Sequence, residues 1–79
     1  MKARVIVTLK SGVLDPQGKA IEGALRSLSL EGFRSVRQGK IFDIEIDGED
    51  RNCATAMLND ACERLLANTI VENYAIEIV

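Results

Sequence analysis

The chain has no histidine and no tryptophan, and it holds one proline, two cysteines, two phenylalanines and one tyrosine in 79 residues. Without histidine it lacks the commonest general base, the usual metal ligand and any Ser-His or Cys-His nucleophile pair. With aromatics at 4% and hydrophobic residues at 47%, the core must be aliphatic. No run of 18 apolar residues occurs, so no segment reads as a membrane-spanning helix. A net charge of −2 and a pI near 5.0 argue against a nucleic-acid partner. The start, Met1 to Leu9, is basic and then apolar like a signal peptide. Its strict alternation and the want of a small-residue cleavage site speak against that, and the chain reads as cytoplasmic. Cys53 and Cys62 fall on one predicted helix, about 13 Å apart along its axis and on opposite sides of it. They are too far apart to bridge and read as small apolar fillers on the helix flanks.

What is present is periodicity. Lys2 to Lys10 alternates, with Ala3, Val5, Val7 and Leu9 on one side, which predicts a strand with one buried face. From Pro16 the period becomes helical, and Ala20, Ile21, Ala24, Leu25 and Leu28 form one apolar stripe, closed by Gly32. A second strand is expected over Phe33 to Gln38, then a tight break at Gly39-Lys40. A third strand carries Phe42, Ile44 and Ile46 and stops at Asp47-Gly48. A second helix over Arg51 to Ala67 has its stripe at Ala54, Met57, Leu58, Ala61 and Leu65. A last strand alternates Tyr74, Ile76 and Ile78 with Ala75, Glu77 and Val79. The order βαββαβ in a single domain, 1–79, predicts an α+β ferredoxin-like (split βαβ) fold, an antiparallel sheet with both helices on one face. The opposite face holds Ile6, Thr8, Ile41, Ala75 and Val79 among its charges. That mixture on so small a domain predicts a dimer, with Ile6, Thr8 and Ile41 as interface candidates.

Three clusters invite chemistry. Asp43, Glu45, Asp47, Glu49 and Asp50 crowd a strand and turn but lack the spacing of a calcium loop, so they read as a solvated edge. Gly12 and Gly18 flank Asp15-Pro16, where Asp15 reads as a helix N-cap and Pro16 as the first helical residue. A phosphate cradle there would meet the carboxylate of Asp15, so the capped turn is the better account. Lys10 and Lys19 remain able to frame an anionic group on a partner. Arg37, Gly39 and Lys40 either solubilise a bend or dock it on another protein, through the arginine fork and the close approach a glycine permits.

The string Lys10-Ser11-Gly12-Val13-Leu14-Asp15-Pro16-Gln17-Gly18-Lys19-Ala20-Ile21 resembles the small subunit of phosphoribosylformylglycinamidine synthase. The pattern continues through Ala24-Leu25, Val36-Arg37-Gln38-Gly39-Lys40, Leu65-Leu66-Ala67-Asn68 and Glu72-Asn73-Tyr74-Ala75-Ile76-Glu77. One departure is Thr69, where that family usually has Pro. The resemblance implies a non-catalytic assembly subunit of a glutamine-dependent ligase in purine biosynthesis, inactive alone. It would bridge an ATP-dependent synthetase and a glutaminase and help ammonia pass between them. ATP and Mg would sit on the synthetase, with no cofactor, metal or catalytic residue on this chain. Lys10, Gly12, Arg37, Gly39 and Lys40 become the candidates for contact with those subunits, and self-association is expected as a dimer, able to pair into a tetramer.

Two other classes share the element order. A small-molecule-sensing module of ACT type would use Gly12 at a dimer interface. An acylphosphatase-like enzyme would need an arginine in the first strand–helix loop, and Ser11 to Asp15 has none. An RNA-binding reading lacks the aromatics it would stack bases on, since Phe42 and Tyr74 alternate with the buried residues.

Overall fold

The computed structural model describes residues Met1–Val79. Strand β1 (Lys2–Leu9) leads to helix α1 (Pro16–Ser27), and β2 (Gly39–Glu45) leads to helix α2 (Arg51–Ala61). The second helix runs on as a π-turn (Cys62–Leu66) before β3 (Glu72–Ile78). The sheet is antiparallel in the order β2-β1-β3. Register places Val5 between Phe42 and Ile76, and Ala3 between Ile44 and Ile78. The alternation of β1 therefore sets the core: Ala3, Val5 and Val7 are buried under Leu58, Cys62 and Ala67. Helix α2 starts where the Asp50 carboxylate accepts the N–H groups of Asn52 (2.9 Å) and Cys53 (3.2 Å).

The π-turn changes which residues face inward. The Ala67 N–H donates to the Cys62 carbonyl at 3.0 Å, widening the last turn by one residue. Leu65, expected on the apolar stripe, consequently points to water at 81% exposure, while Cys62 is fully buried. Cys62 is thus a core residue and not a flank filler; Cys53 is exposed.

The α+β class with an antiparallel sheet is present, with two corrections inside the chain. Residues 33–38 are extended but pair with no strand, so the sheet has three strands. The expected break at Gly39-Lys40 is absent. Left-handed φ angles occur at Gly12, Gly32, Gly48 and Ser29, not at Gly39, and a tight two-residue hairpin needs one. Gly39 instead begins β2, where an added Cβ would sit 2.6 Å from the Val7 carbonyl oxygen. The second correction concerns α1. None of its residues belongs to the hydrophobic core, and its apolar stripe is largely open, with Ile21 at 38% and Leu28 at 69% exposure. The helix also ends early. Ser29 takes the left-handed position (φ 60°) expected of Gly32, and the Leu30 N–H closes back on the Leu25 carbonyl at 3.0 Å.

The molecule is accordingly long, 49 × 25 × 15 Å, with a radius of gyration of 16.0 Å. A compact domain of this length would have about 12 Å. An arm, residues 10–38, projects from the end of the sheet where β1 leaves and β2 enters.

The turn before β3 shows why Thr69 can replace proline. The Val71 N–H donates to the Asn68 carbonyl (3.0 Å) and the Ile70 N–H to the Asn68 side chain (3.3 Å). The Glu72 carboxylate in turn accepts the Asn68 N–H at 2.6 Å. Thr69 occupies the second turn position, where proline is favoured and no N–H is required. Thr69→Pro is expected to raise stability by about 0.4–1 kcal/mol through the unfolded chain's lost freedom, measured by urea denaturation; a loss of stability would show that this turn is not proline-compatible.

Candidate functional site

The most densely bonded part of the arm is the junction of loop 10–15, the start of α1 and residues 36–38. Asp15 sits here at 5% exposure. One carboxylate oxygen accepts the Gly18 N–H at 2.9 Å, as an N-cap does. The other accepts the Gln38 N–H at 2.7 Å, from across the junction. One turn further along α1, the Glu22 carboxylate, 6% exposed, accepts the Val36 N–H at 3.1 Å. Between them Gly18 has no room for a side chain, since a Cβ would fall 2.2 Å from the Val36 carbonyl oxygen. Two carboxylates and a glycine thus clasp helix α1 to an extended strand through backbone N–H groups.

Their titration follows. The Gln38 and Gly18 N–H groups hold the Asp15 carboxyl below the ordinary carboxylate range. The Val36 N–H, with Lys19 nearby, does the same for Glu22. Sequence reasoning identified Asp15 as a cap but missed its second acceptor bond; it weighed Gly18 only for a phosphate cradle, and it missed Glu22. The available signal was the spacing Asp15, Gly18, Glu22, three and four apart on one helix face.

The remaining candidates surround this clasp. Arg37 spreads its guanidinium over two carbonyl oxygens, of Val13 at 2.9 Å and of Lys10 at 3.1 Å. Gly12, at φ +87°, forms the turn between those two residues. Arg37 therefore closes loop 10–15 onto the returning segment. Lys40 lies 3.9 Å from Glu72 and 5.9 Å from the centre of the Phe42 ring. Lys10, Gly12, Arg37, Gly39 and Lys40 are brought to the junction of arm and sheet; Ile6, Thr8 and Ile41 are not part of that cluster. These last lie on the open sheet face, where Ile6 is flanked by Ile41 and Ala75.

Some titratable groups elsewhere are engaged in pairs. On the open face Arg4 Nε donates to Asp43 at 2.9 Å, and this bond holds the Asp43 carboxyl below its ordinary range. The Tyr74 hydroxyl donates to Glu63 at 3.0 Å; burial first, then Glu63, push its pKa up. Burial also pushes the Cys62 thiol up, which disfavours the thiolate a nucleophile needs.

A family model described as phosphoribosylformylglycinamidine (FGAM) synthase, PurS, matches residues 2–79. The PurS subunit of Bacillus subtilis is 42% identical over 98% of this chain and 90% of its own. That of Mycobacterium leprae is 47% identical over 95% of this chain and 91% of its own. Among solved structures, B. subtilis PurS in a C2 crystal form superposes with a TM-score of 0.86, at 42% identity and over 96% and 94% of the two chains. A chain in the structure of PurLQS from Thermotoga maritima superposes at 0.90, with 33% identity over 99% and 95%. The arm is therefore present in a likeness that extends over the whole chain.

The clasp carries a test of its own. Both Asp15 oxygens accept N–H groups, and an asparagine would aim its amide at one of those donors. Asp15→Asn is expected to speed amide exchange at Gly18 and Gln38, with Asp15→Ala faster still. Because both folded-state pKa values are lowered, the stabilisation is complete near neutral pH and lost as pH falls through about 4.5 and below. Protection at Gly18, Val36 and Gln38 should decline over that window in the wild type but not in the Asp15→Asn, Glu22→Gln double variant. Equal protection in Asp15→Asn and wild type would remove the second bond from the account.

Proposed function

The chain belongs to the PurS family of phosphoribosylformylglycinamidine synthase, and from that premise we propose that it is the non-catalytic assembly subunit of that glutamine-dependent ligase in purine biosynthesis. It bridges an ATP-dependent synthetase subunit and a glutaminase subunit and helps deliver ammonia from one to the other. ATP and Mg belong to the synthetase. The observation that carries this reading is the full-length likeness to a chain within a PurLQS assembly.

The chemistry of the side chains supports it. The groups that could have formed an acid–base or nucleophilic centre are engaged in holding the chain together. Asp15, Glu22 and Arg37 bond backbone groups, Asp43 pairs with Arg4, and the Cys62 thiol is buried. The junction of arm and sheet, which carries Lys10 and Lys40, is the surface we assign to the partner subunits. Lys40 is half-exposed and only loosely paired, so its charge is available for steering. The open sheet face, with Ile6, Thr8 and Ile41, is assigned to contact between copies of the chain, and the assembly acts in the cytoplasm. No helix is long and apolar enough to cross a membrane.

Reconstitution tests the proposal. Glutamine-dependent formation of formylglycinamidine ribonucleotide should require this chain together with the synthetase and glutaminase, and the chain alone should have no activity. Full glutamine-dependent turnover without it would overturn the reading. Lys40→Ala should weaken assembly and its salt dependence, reducing glutamine-dependent turnover while ammonia-dependent turnover survives. Equal loss of both would move Lys40 out of the bridging surface.

A further inference from the structure

The turn between β2 and α2 leaves one reactive pair of groups free. Asp47 and Gly48 are both exposed. The nearest aspartates on either side are engaged, Asp43 by Arg4 and Asp50 by the Asn52 and Cys53 N–H groups, whereas the Asp47 carboxyl has no partner. The Gly48 N–H likewise donates to no acceptor in the chain. Gly48 takes a left-handed φ of +97°, and nothing stands within 4 Å of where its Cβ would be. Joining an aspartate's side-chain carboxyl carbon to the next residue's nitrogen closes a five-membered ring. Such intramolecular closure is fast where the chain can bring the two atoms into line and no side chain crowds the ring.

We propose that Asp47 is a self-modification site, at which the native chain rearranges to isoaspartate. The Gly48 nitrogen bonds to the Asp47 side-chain carboxyl carbon, the carbon–hydroxyl bond breaks, and the hydroxyl leaves with the amide proton as water. Water then opens the cyclic imide at either carbonyl. One opening restores aspartate. The other routes the main chain through the Asp47 side chain and leaves its α-carboxyl free. No oxidant or reductant takes part. The product belongs to the class of substrate esterified by an S-adenosylmethionine-dependent isoaspartyl methyltransferase. The turn is fixed at both ends, since the Ile46 N–H donates to the Met1 carbonyl at 2.8 Å and Asp50 caps α2. One added main-chain carbon between them displaces the cap of the helix that holds Leu58 over the core.

The fold, and not only the dipeptide, selects this position. Asp15 precedes Pro16, which has no N–H, and both of its oxygens are bonded. Asn52, Asn59 and Asp60 lie inside α2 and Asn73 inside β3, where regular backbone holds the side chain away from the next nitrogen. Asn68 accepts the Ile70 N–H with its side chain and precedes the β-branched Thr69. Asp47 follows the end of β2 that lies away from the arm, since Gly39 begins that strand at the junction. The modification is therefore remote from the surface assigned to the partner subunits.

The test is ageing of the full folded chain at neutral pH. Methyl transfer from labelled S-adenosylmethionine by an isoaspartyl methyltransferase counts the product, and electron-transfer fragmentation of the tryptic segment 41–51 locates it. Uptake should rise with time and map to Asp47, with Asp43 and Asp50 of the same segment unchanged. Asp47→Glu should lose it, because the longer side chain would have to close a six-membered ring. Asp47→Asn should hasten it at least about tenfold through a lower barrier, with ammonia leaving in place of water. Neither substitution removes a bonded group, so both variants should fold as the wild type does. In the aged fraction, amide exchange at Asn52 and Cys53 should quicken. A native chain that takes up no methyl groups, uptake that maps to another residue, or uptake retained in Asp47→Glu would each overturn the modification. Unchanged exchange at Asn52 and Cys53 in the aged fraction would overturn its coupling to α2. Glutamine-dependent turnover enters none of these readouts, so the two proposals fail separately.

Discussion

The arm depends on one carboxylate. Asp15 satisfies a free N–H at the start of α1 with one oxygen and the N–H of Gln38 with the other. A helix start must find acceptors for its first N–H groups, and an extended, unpaired strand must find them for half of its own. Asp15 meets both needs at once, Glu22 repeats the arrangement one turn later, and Gly18 permits the approach. Because these bonds run between α1 and residues 36–38, they hold the two as a unit independent of the sheet. Everything distinctive about the molecule's shape follows from that independence.

The consequence is a small core for the chain's size. Seven hydrophobic residues are buried, all of them in β1, α2, or the π-turn and the residue after it. A 79-residue chain is near the lower limit for folding alone even when compact, and this one leaves its first helix outside. Its aliphatic composition is spread over exposed surfaces as well, among them the open stripe of α1. An assembly subunit suits such a design, because its stability and its partner contacts are settled together.

Much of this was legible in the residues. The alternation of Ala3, Val5 and Val7 gives the central strand, Asp15-Pro16 gives the start of α1, and Tyr74, Ile76 and Ile78 give the last strand. Residues 33–38 were legible as extended chain, but pairing is a tertiary outcome, and no local pattern distinguishes a strand that turns back from one that runs on. Gly39 misled for a physical reason. A glycine followed by lysine between two strand-like runs reads as a turn, whereas here it is small because β1 passes close by. The stripe of α1 identified an apolar face and could not say that this helix would stand clear of its own sheet. Cys62 follows Ala54 and Leu58 at four-residue spacing on the buried face, and Leu65 was misplaced because the π-turn that contains it shifts the helical phase, which a fixed 3.6-residue period cannot express. Glu22 stayed hidden because a glutamate on a helix is ordinarily solvated.

The central claim, that Asp15 and Glu22 hold α1 to residues 36–38 and keep it clear of its own sheet, is open to a direct measurement. In a mixed sample of isotope-labelled and unlabelled protein, filtered nuclear Overhauser spectra separate contacts within a chain from contacts between chains. The account predicts contacts between α1 and Val36 within each molecule, and none within a molecule from the methyl groups of Ile21 and Leu25 to the ring of Phe42. If the contacts from Ile21 and Leu25 to Phe42 arise within single labelled chains, the arm folds back on its own sheet and the account is wrong.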